Sequence, residues 1–379
     1  MTRDVRAVSW RRRATVAIAE RGARPARVKD VARLAGVSVG TVSNVLNGRR
    51  SVGEEVRERV EAAIEELGFV RNATGRALRT GSFPMVGVSV LDLTNPFFME
   101  AAAGMDRRLR QDGFVMALSS THSDAGEEAR TLRTFAGQGV RGVVVSPTDT
   151  DLAVAHEIAA RGVPVVLFDS PAAPDDMSSI LADDRAGAAM AVEHLIGLGH
   201  RRILFLNGPE HQRQSRSRLA GVHDGIARSG EEISLSVEEL GSFTAMEGRA
   251  GVRRLLVGCG LAAPMGTDGI SVPARPLTVE GLPEELPTAI FCANDLIAFG
   301  SMTALRDAGI RIPEDVSLVG FDDIEMAAQM SVPLTTIAQP TDELGWVAAD
   351  MLLTEPVTVR HETLMPTLVR RRSTAAPRG

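Results

Sequence analysis

Residues 38–47 read Ser38-Val39-Gly40-Thr41-Val42-Ser43-Asn44-Val45-Leu46-Asn47, and their spacing decides how the front of this chain folds. Val42, Val45 and Leu46 stand at i, i+3 and i+4, so a helix through them turns its apolar side chains one way. Gly40, Thr41 and Asn44 then face the other way as a small, polar surface. Ser38 suits the N-cap, because its hydroxyl oxygen accepts an N–H that the first turn leaves unpaired. Another short helix precedes the turn Ala35-Gly36-Val37. Two short helices across a glycine turn, the second with a small polar face, are what a helix-turn-helix needs to enter a DNA major groove.

Downstream, Ser51-Val52-Gly53-Glu54 has the form of a capping box, with Ser51 at N-cap and Glu54 at N3. The helix it opens carries Val56, Val60, Ala63, Ile64 and Leu67 on one face, with Gly68 as terminator. Three small helices on a common core over residues 26–72 make a domain; a helical hairpin inside a larger domain would show the same local pattern.

The stretch VKDVARLAGVSVGTVSNVLNG, residues 28–48, resembles the N-terminal headpiece of the lac repressor/galactose repressor (LacI/GalR) family of bacterial transcription regulators. The resemblance continues in order through Phe69-Val70-Arg71-Asn72, Asn95-Pro96-Phe97-Phe98, Gly199-His200-Arg201-Arg202-Ile203 and Arg218-Leu219-Ala220-Gly221. It goes on through residues 287–295, Gly320-Phe321-Asp322-Asp323 and Pro333-Leu334-Thr335-Thr336, and so covers residues 26–375. Each motif alone is weak; their colinear order is specific.

On DNA, the resemblance puts Val39, Gly40 and Asn44 at base-selecting positions. Val39 can touch a thymine methyl and Asn44 can bond base edges, whereas Gly40 offers no side chain. Ser38, Thr41, Ser43 and Asn47 are suited to phosphates, which set register but not sequence. Arg27 stands where many members carry threonine and still reaches toward phosphate. Residues 73–82 are implied to be a hinge helix that orders on DNA, pairs with a second copy and wedges Leu78 into the minor groove, kinking a base step. Gly75, where most members have alanine, lowers helix propensity by about 1 kcal/mol.

Charge agrees with this division. Residues 1–80 carry 17 Lys+Arg against 9 Asp+Glu, whereas the remaining 299 residues carry 25 against 39. The basic front is drawn to phosphate while the acidic bulk avoids non-specific DNA contact. Residues 1–25 contain arginines without the apolar core of an export signal and read as a disordered tail. No apolar run approaches the roughly 18–20 residues needed to span a bilayer. Cys259 and Cys292 are far apart and read as reduced thiols of a cytoplasmic protein.

From Met85 onward, apolar runs alternate with amphipathic segments: Met85–Leu91, Phe114–Ser119, Val140–Ser146, Pro164–Asp169, Arg202–Asn207, Ala289–Ala293 and Ser317–Phe321. Buried runs separated by helices indicate parallel sheets covered on both faces. The expected fold class is α/β, with the three-helix headpiece and hinge followed by two Rossmann-like lobes of periplasmic-binding-protein type over residues 83–379. By resemblance, the chain crosses between lobes near Ala182, near Thr336 and near Pro356, giving lobe one residues 84–182 and 337–355 and lobe two residues 183–336 and 356–379. Residues 257–286, rich in glycine and proline, read as a surface loop insertion. Gly258-Cys259-Gly260 superficially echoes a dinucleotide fingerprint but follows a helix-like stretch, so that reading fails.

No nucleophile elbow, phosphate-cradling loop or zinc spacing is present, and the chain is expected to be neither an enzyme nor a metal or cofactor protein. Asp183-Asp184 and Asp322-Asp323 pair carboxylates, but neighbours at a strand end rarely converge on one substrate. Binding is the better use for such groups, since open parallel sheets hold ligands beyond the carboxyl ends of their strands. Asp92, Asn294 and Asp322 follow strands, and Arg218 lies on the helix after Arg202–Asn207. Arg218, Asn294 and Asp322 form a polar ring suited to vicinal hydroxyls, which donate and accept, and Phe97, Phe98 and Phe243 are suited to stack on an apolar ligand face. Helix capping and core packing remain alternative uses for Asn294, Phe98 and Phe243. Purine-sensing members place an arginine where Gln212 stands here, which disfavours a purine; the resemblance implies a sugar or sugar derivative by its frequency in the family.

The expected function is that of a homodimeric DNA-binding regulator of repressor type, acting on a palindromic operator under small-molecule control. The alternatives are a sugar-binding protein without a DNA role, a sugar-processing enzyme, and a regulator that senses a protein partner.

Overall fold

The computed structural model describes residues 26–46, 52–69, 84–148, 151–171, 177–261, 283–354 and 358–378. They belong to two units, Met1–Thr80 and Gly81–Gly379.

In the first unit, helix α1 (Val28–Ala35) buries Val31, Ala32 and Ala35. It ends at Gly36, whose φ of 66° is left-handed and costs a glycine little. Helix α2 (Val39–Leu46) starts at Ser38, whose Oγ accepts the N–H of Thr41 at 3.0 Å. Val42 and Val45 are buried as the spacing requires, and Leu46 packs at the rim of their cluster. Helix α3 (Glu54–Glu66) closes the core with Val60 and Ala63, and Gly68 follows it at φ 55°. Phe69 folds back under the three helices. The expected capping box is corrected: Gly53, which offers no side-chain acceptor, is the N-cap of α3, which moves Glu54 from N3 to N1. Ser51 itself, Asn47, the tail 1–25 and the hinge 73–82 with Leu78 lie outside the described residues.

The second unit holds two sheets. Lobe one contains β1 (Met85–Val90), α4 (Pro96–Gln111), β2 (Val115–Ser120), α5 (Ala125–Gly137), β3 (Val143–Val145), α6 (Ala153–Ala159), β4 (Val165–Phe168) and β5 (Ser178–Ala182). The chain then enters lobe two with α7 (Asp184–Gly197), β6 (Arg202–Asn207), α8 (Arg213–Ser229), β7 (Ser234–Glu239) and α9 (Ala245–Gly258). Lobe two continues with β8 (Ala289–Cys292), α10 (Asp295–Asp307), β9 (Ser317–Asp322), α11 (Glu325–Gln329) and β10 (Thr335–Ala338). Helix α12 (Thr341–Leu353) and β11 (His361–Leu364) return to lobe one, and β12 (Thr367–Val369) ends in lobe two.

The strand orders are β11-β5-β4-β3-β1-β2 and β12-β10-β9-β8-β6-β7, and every pairing is parallel except β10 with β12. Both sheets therefore reverse direction of growth at equivalent points, between β1 and β3 and between β6 and β8. Such a switch point leaves a crevice at the carboxyl ends of the strands, where ligands bind. Side chains alternate across the lobe-one sheet: Val144 joins the core beneath α4 and α12, while Val143 and Val145 join the core beneath α5 and α6.

The crossings between lobes differ from expectation. The first falls between Ala182 and Asp184, as read. The second comes after Ala338, because Thr335–Ala338 stays paired with β9. The third is corrected from Pro356, itself outside the described residues, to Met365-Pro366, because His361–Leu364 pairs with Ser179–Ala182 in lobe one. Residues 361–364 thus belong to lobe one. The insertion also begins later than expected: α9 runs through Gly258, and Leu261 and Leu286 at its margins are buried in the lobe-two core. Residues 262–282 lie outside the described residues. No helix among the described residues is long and apolar enough to cross a membrane.

Three helix pairs cross almost backbone to backbone on reciprocal small residues. A Cβ added to Gly104 of α4 would fall 2.2 Å from the carbonyl oxygen of Asp342, and one on Gly345 of α12 would fall 1.9 Å from that of Ala101. Gly248 of α9 and Gly300 of α10 meet in the same way, at 2.2 Å from the oxygen of Ile297 and 1.8 Å from that of Ala245. Gly221 of α8 lies against Arg185 of α7.

Candidate functional site

On the headpiece, the expected DNA face divides by exposure. Arg27, Ser38, Val39 and Gly40 are exposed, and Thr41, Ser43 and Asn44 are half-buried on the same short helix or at its start. Val39 keeps 44% of its surface open, which is unusual for a valine beside a core and leaves a methyl-bearing group free to meet a partner. The Thr41 hydroxyl is bonded to Ser38 at 2.9 Å, so these two act as one polar unit. The backbone N–H of Arg27 donates to Asp30 at 2.9 Å, which anchors the start of α1 and leaves the guanidinium to solvent.

In the second unit, strand ends deliver side chains to one interlobe cleft. Leu91 and Asp92 leave β1; Asn95 caps α4 and delivers Phe97 and Phe98; Asp322 ends β9; Asn294 caps α10; Arg218 projects from α8. All seven expected ligand residues, Asp92, Phe97, Phe98, Arg218, Phe243, Asn294 and Asp322, line this cleft. Ser123, Asp169, Gln212, Gln214, Ser242, Thr244 and Gln339 line it as well. Of these, Asp169 was within reach of the strand-end rule, since it closes the run Pro164–Asp169. Gln214 and Gln339 carried no local signal.

The polar groups are locked to one another. The Arg218 guanidinium donates to Asp184 at 2.8 Å and to the carbonyl oxygen of Ala293, and lies 3.8 Å from Asp322. It is held 3.9 Å from the centre of the Phe321 ring and 5.9 Å from that of Phe243. Such cation–π contacts suit a desolvated cation. The Gln339 amide donates to Asp322 at 2.7 Å. Asn294 serves two purposes, capping α10 through Oδ1 and holding the Phe243 carbonyl through Nδ2 at 3.2 Å. Phe97 and Phe98 meet edge to face at 5.1 Å and are almost fully buried, so they form the cleft floor. The two acidic pairs diverge: Asp183 caps α7 while Asp184 holds Arg218, and Asp322 faces the cleft while Asp323 meets Arg371.

Asp169 of lobe one also reaches across the cleft. It accepts from Arg213 at 2.7 Å and from Gln214 at 2.6 Å, both in the first turn of α8 in lobe two. Arg213 is shared with Asp184 at 2.9 Å.

Burial pushes the Asp322 carboxyl up to about 7, against the pull of Arg218 and Gln339, and burial likewise raises Asp169 and Asp295. A carboxyl that holds its proton more tightly folded than unfolded favours the folded state at low pH, and that contribution is lost as pH rises from its ordinary 3.8 through about 7. The melting temperature is therefore expected to fall between pH 5 and pH 8, and Asp322→Asn is expected to flatten that fall. An unchanged slope in thermal melts of the variant would contradict the assignment.

Comparisons with known proteins agree with this architecture. Residues 27–72 match the family described as bacterial regulatory proteins, lacI family, and residues 84–256 match the periplasmic binding proteins and sugar binding domain of the LacI family. Residues 192–374 match a periplasmic binding protein-like domain. The chain is 36% identical to the ribose operon repressor of Escherichia coli K12, over 93% of this chain and 97% of that one. It is 32% identical to the transcriptional regulator MalR of Streptomyces coelicolor, over 93% and 98%. Among solved structures it superposes on the lac repressor dimer bound to operator and an anti-inducer, with a TM-score of 0.76 and 30% identity over 93% of this chain and all of that one. The chain belongs to the LacI family of bacterial transcription regulators, a DNA-binding helix-turn-helix joined to a two-lobed sensor.

Proposed function

We propose that this regulator is a repressor whose interlobe cleft holds a sugar of pentose or hexose size, and that occupancy of the cleft changes its hold on DNA. The observation that carries this reading is the convergence of Arg218, Asn294, Asp322 and three phenylalanines on one crevice at the two switch points. Carboxylates and amides suit vicinal hydroxyls, and aromatic walls suit the apolar face of a sugar ring. Support comes from relatives: the ribose operon repressor by name, and a LacI-family regulator of Enterococcus faecium solved with bound ribose, at 26% identity and a TM-score of 0.65. Gln212, which lines the cleft without a fixed charge, fits a neutral ligand better than a purine held by an arginine.

On DNA, Val39, Gly40 and Asn44 read base edges, while Arg27, Ser38, Thr41, Ser43 and Asn47 meet phosphates and Leu78 enters the minor groove between two paired copies. The lac repressor structure, a dimer on its operator, supports a homodimer on a palindrome. A sugar-binding protein without a DNA role would leave the headpiece unexplained, and the relatives named above are regulators, which favours binding over turnover. The test is fluorescence anisotropy with a palindromic operator and a scrambled duplex. Val39→Ala with Asn44→Ala is expected to cut the preference for the palindrome by at least about tenfold, since each good base contact is worth about 1–3 kcal/mol. An unchanged preference would remove the assignment of α2 as the reading helix.

A further inference from the structure

The cleft wall holds more carboxyl groups than cations. Asp92, which accepts from Thr94, Asp169, which accepts from Arg213 and Gln214, and Asp322 bring three carboxyl groups to it. Gln339, 8% exposed, has an amide oxygen without any hydrogen-bond partner, and its amide N–H is already given to Asp322. Three further lining donors are committed to the protein: Gln214 to Asp169, Asn294 to the Phe243 carbonyl, and Arg218 to Asp184 and the Ala293 carbonyl. Arg218 is the one cation lining the cleft among the described residues, and it lies against two aromatic rings. Arg213 behind it is bonded to Asp169 and Asp184.

A ligand that brings hydroxyl donors and no negative charge therefore fits this wall. Resting on the sugar reading above, we propose that the cleft selects a hydroxyl-rich effector that is uncharged or carries an ammonium group, and rejects sugar phosphates and sugar acids. A hydroxyl donates to a carboxylate or an amide oxygen and still accepts from a neighbour. A phosphate or carboxylate group offers acceptors and places its charge beside three carboxyl groups, where the reduced dielectric of the protein strengthens any repulsion.

Calorimetric titration of the full-length protein with matched sets tests this: ribose with ribose 5-phosphate, and glucose with glucose 6-phosphate, glucuronate and glucosamine. Whichever neutral parent binds, its phosphate and acid are expected to bind at least about 100-fold more weakly, and its amine within about tenfold, a factor of ten being about 1.4 kcal/mol. A phosphate or acid that binds as tightly as its parent overturns the charge rule and leaves the sugar reading intact. Binding by no member of either set sinks the sugar reading, and the charge rule with it. Asp92→Asn combined with Asp322→Asn is expected to narrow the gap between parent and phosphate by about tenfold or more. If this variant loses its fold, Asp92→Asn alone carries the same expectation at smaller size, and a gap unchanged in a folded variant overturns the proposal.

Discussion

Replacing Arg218 by alanine is expected to destabilise the sensor by about 3–5 kcal/mol and to leave DNA binding indifferent to effector. The side chain is 5% exposed and neutralises Asp184, itself 2% exposed, while lying 3.8 Å from Asp322. Its removal strands buried carboxylates and also empties the space beside the Phe243 and Phe321 rings. Arg213 still meets Asp184 at 2.9 Å but is shared with Asp169, so it compensates only in part. Lysine restores the charge but not the fork that spans Asp184 and the Ala293 carbonyl, so Arg218→Lys is expected to recover part of the stability and little of the response. Chemical denaturation, and anisotropy with and without effector, check both. An alanine variant with the wild-type midpoint and an intact response would show that the cluster does not depend on this guanidinium.

The second large effect lies away from the ligand. Gly300→Val is expected to cost about 3 kcal/mol or more, because a Cβ there would fall 1.8 Å from the Ala245 carbonyl oxygen and no rotamer relieves a clash with backbone. Helices α9 and α10 would have to part, opening the core formed by Val252, Leu256, Ile297 and Ala298. Gly137→Ala, where nothing lies within 4 Å, is the control. It is expected to be neutral or to stabilise by about 0.5–1 kcal/mol, as alanine does against glycine in a helix. Thermal melts of both variants separate packing from glycine content; equal melting temperatures would contradict the described crossing.

How far the chain could be read in advance depended on how local each signal was. Val42, Val45 and the Ser38 cap follow from spacing within one helix, and they appear as read. The Ser51 cap did not, because the alternative start at Gly53 differs only in which turn forms first. Seven strands announce themselves as buried apolar runs. The other five do not: Ser178–Ala182 is interrupted by serines, Ser234–Glu239 is a largely exposed edge strand, Thr335–Ala338 opens on two threonines, and the last two are short pieces at the margins. The third crossing was misplaced because Pro356 looks like a breaker, whereas the next strand still pairs in lobe one. In the cleft, residues at strand ends were legible, helped by family resemblance. Gln214 and Gln339 come from a helix start and a crossover, and only the folding of two lobes against each other brings them together.

The reciprocal glycine crossings bear on how a message could travel from the cleft to the headpiece. Helices that touch at the main chain cannot slide or tilt without collision, so each lobe is stiff and has few soft internal modes. Whatever freedom an effector exploits must then be concentrated at the three passages near residues 183, 339 and 365, together with the Asp169–Arg213 tether that spans the gap. Substitutions that mute or invert signalling without touching sugar or operator should therefore cluster at those passages, as wear in a machine gathers at its bearings.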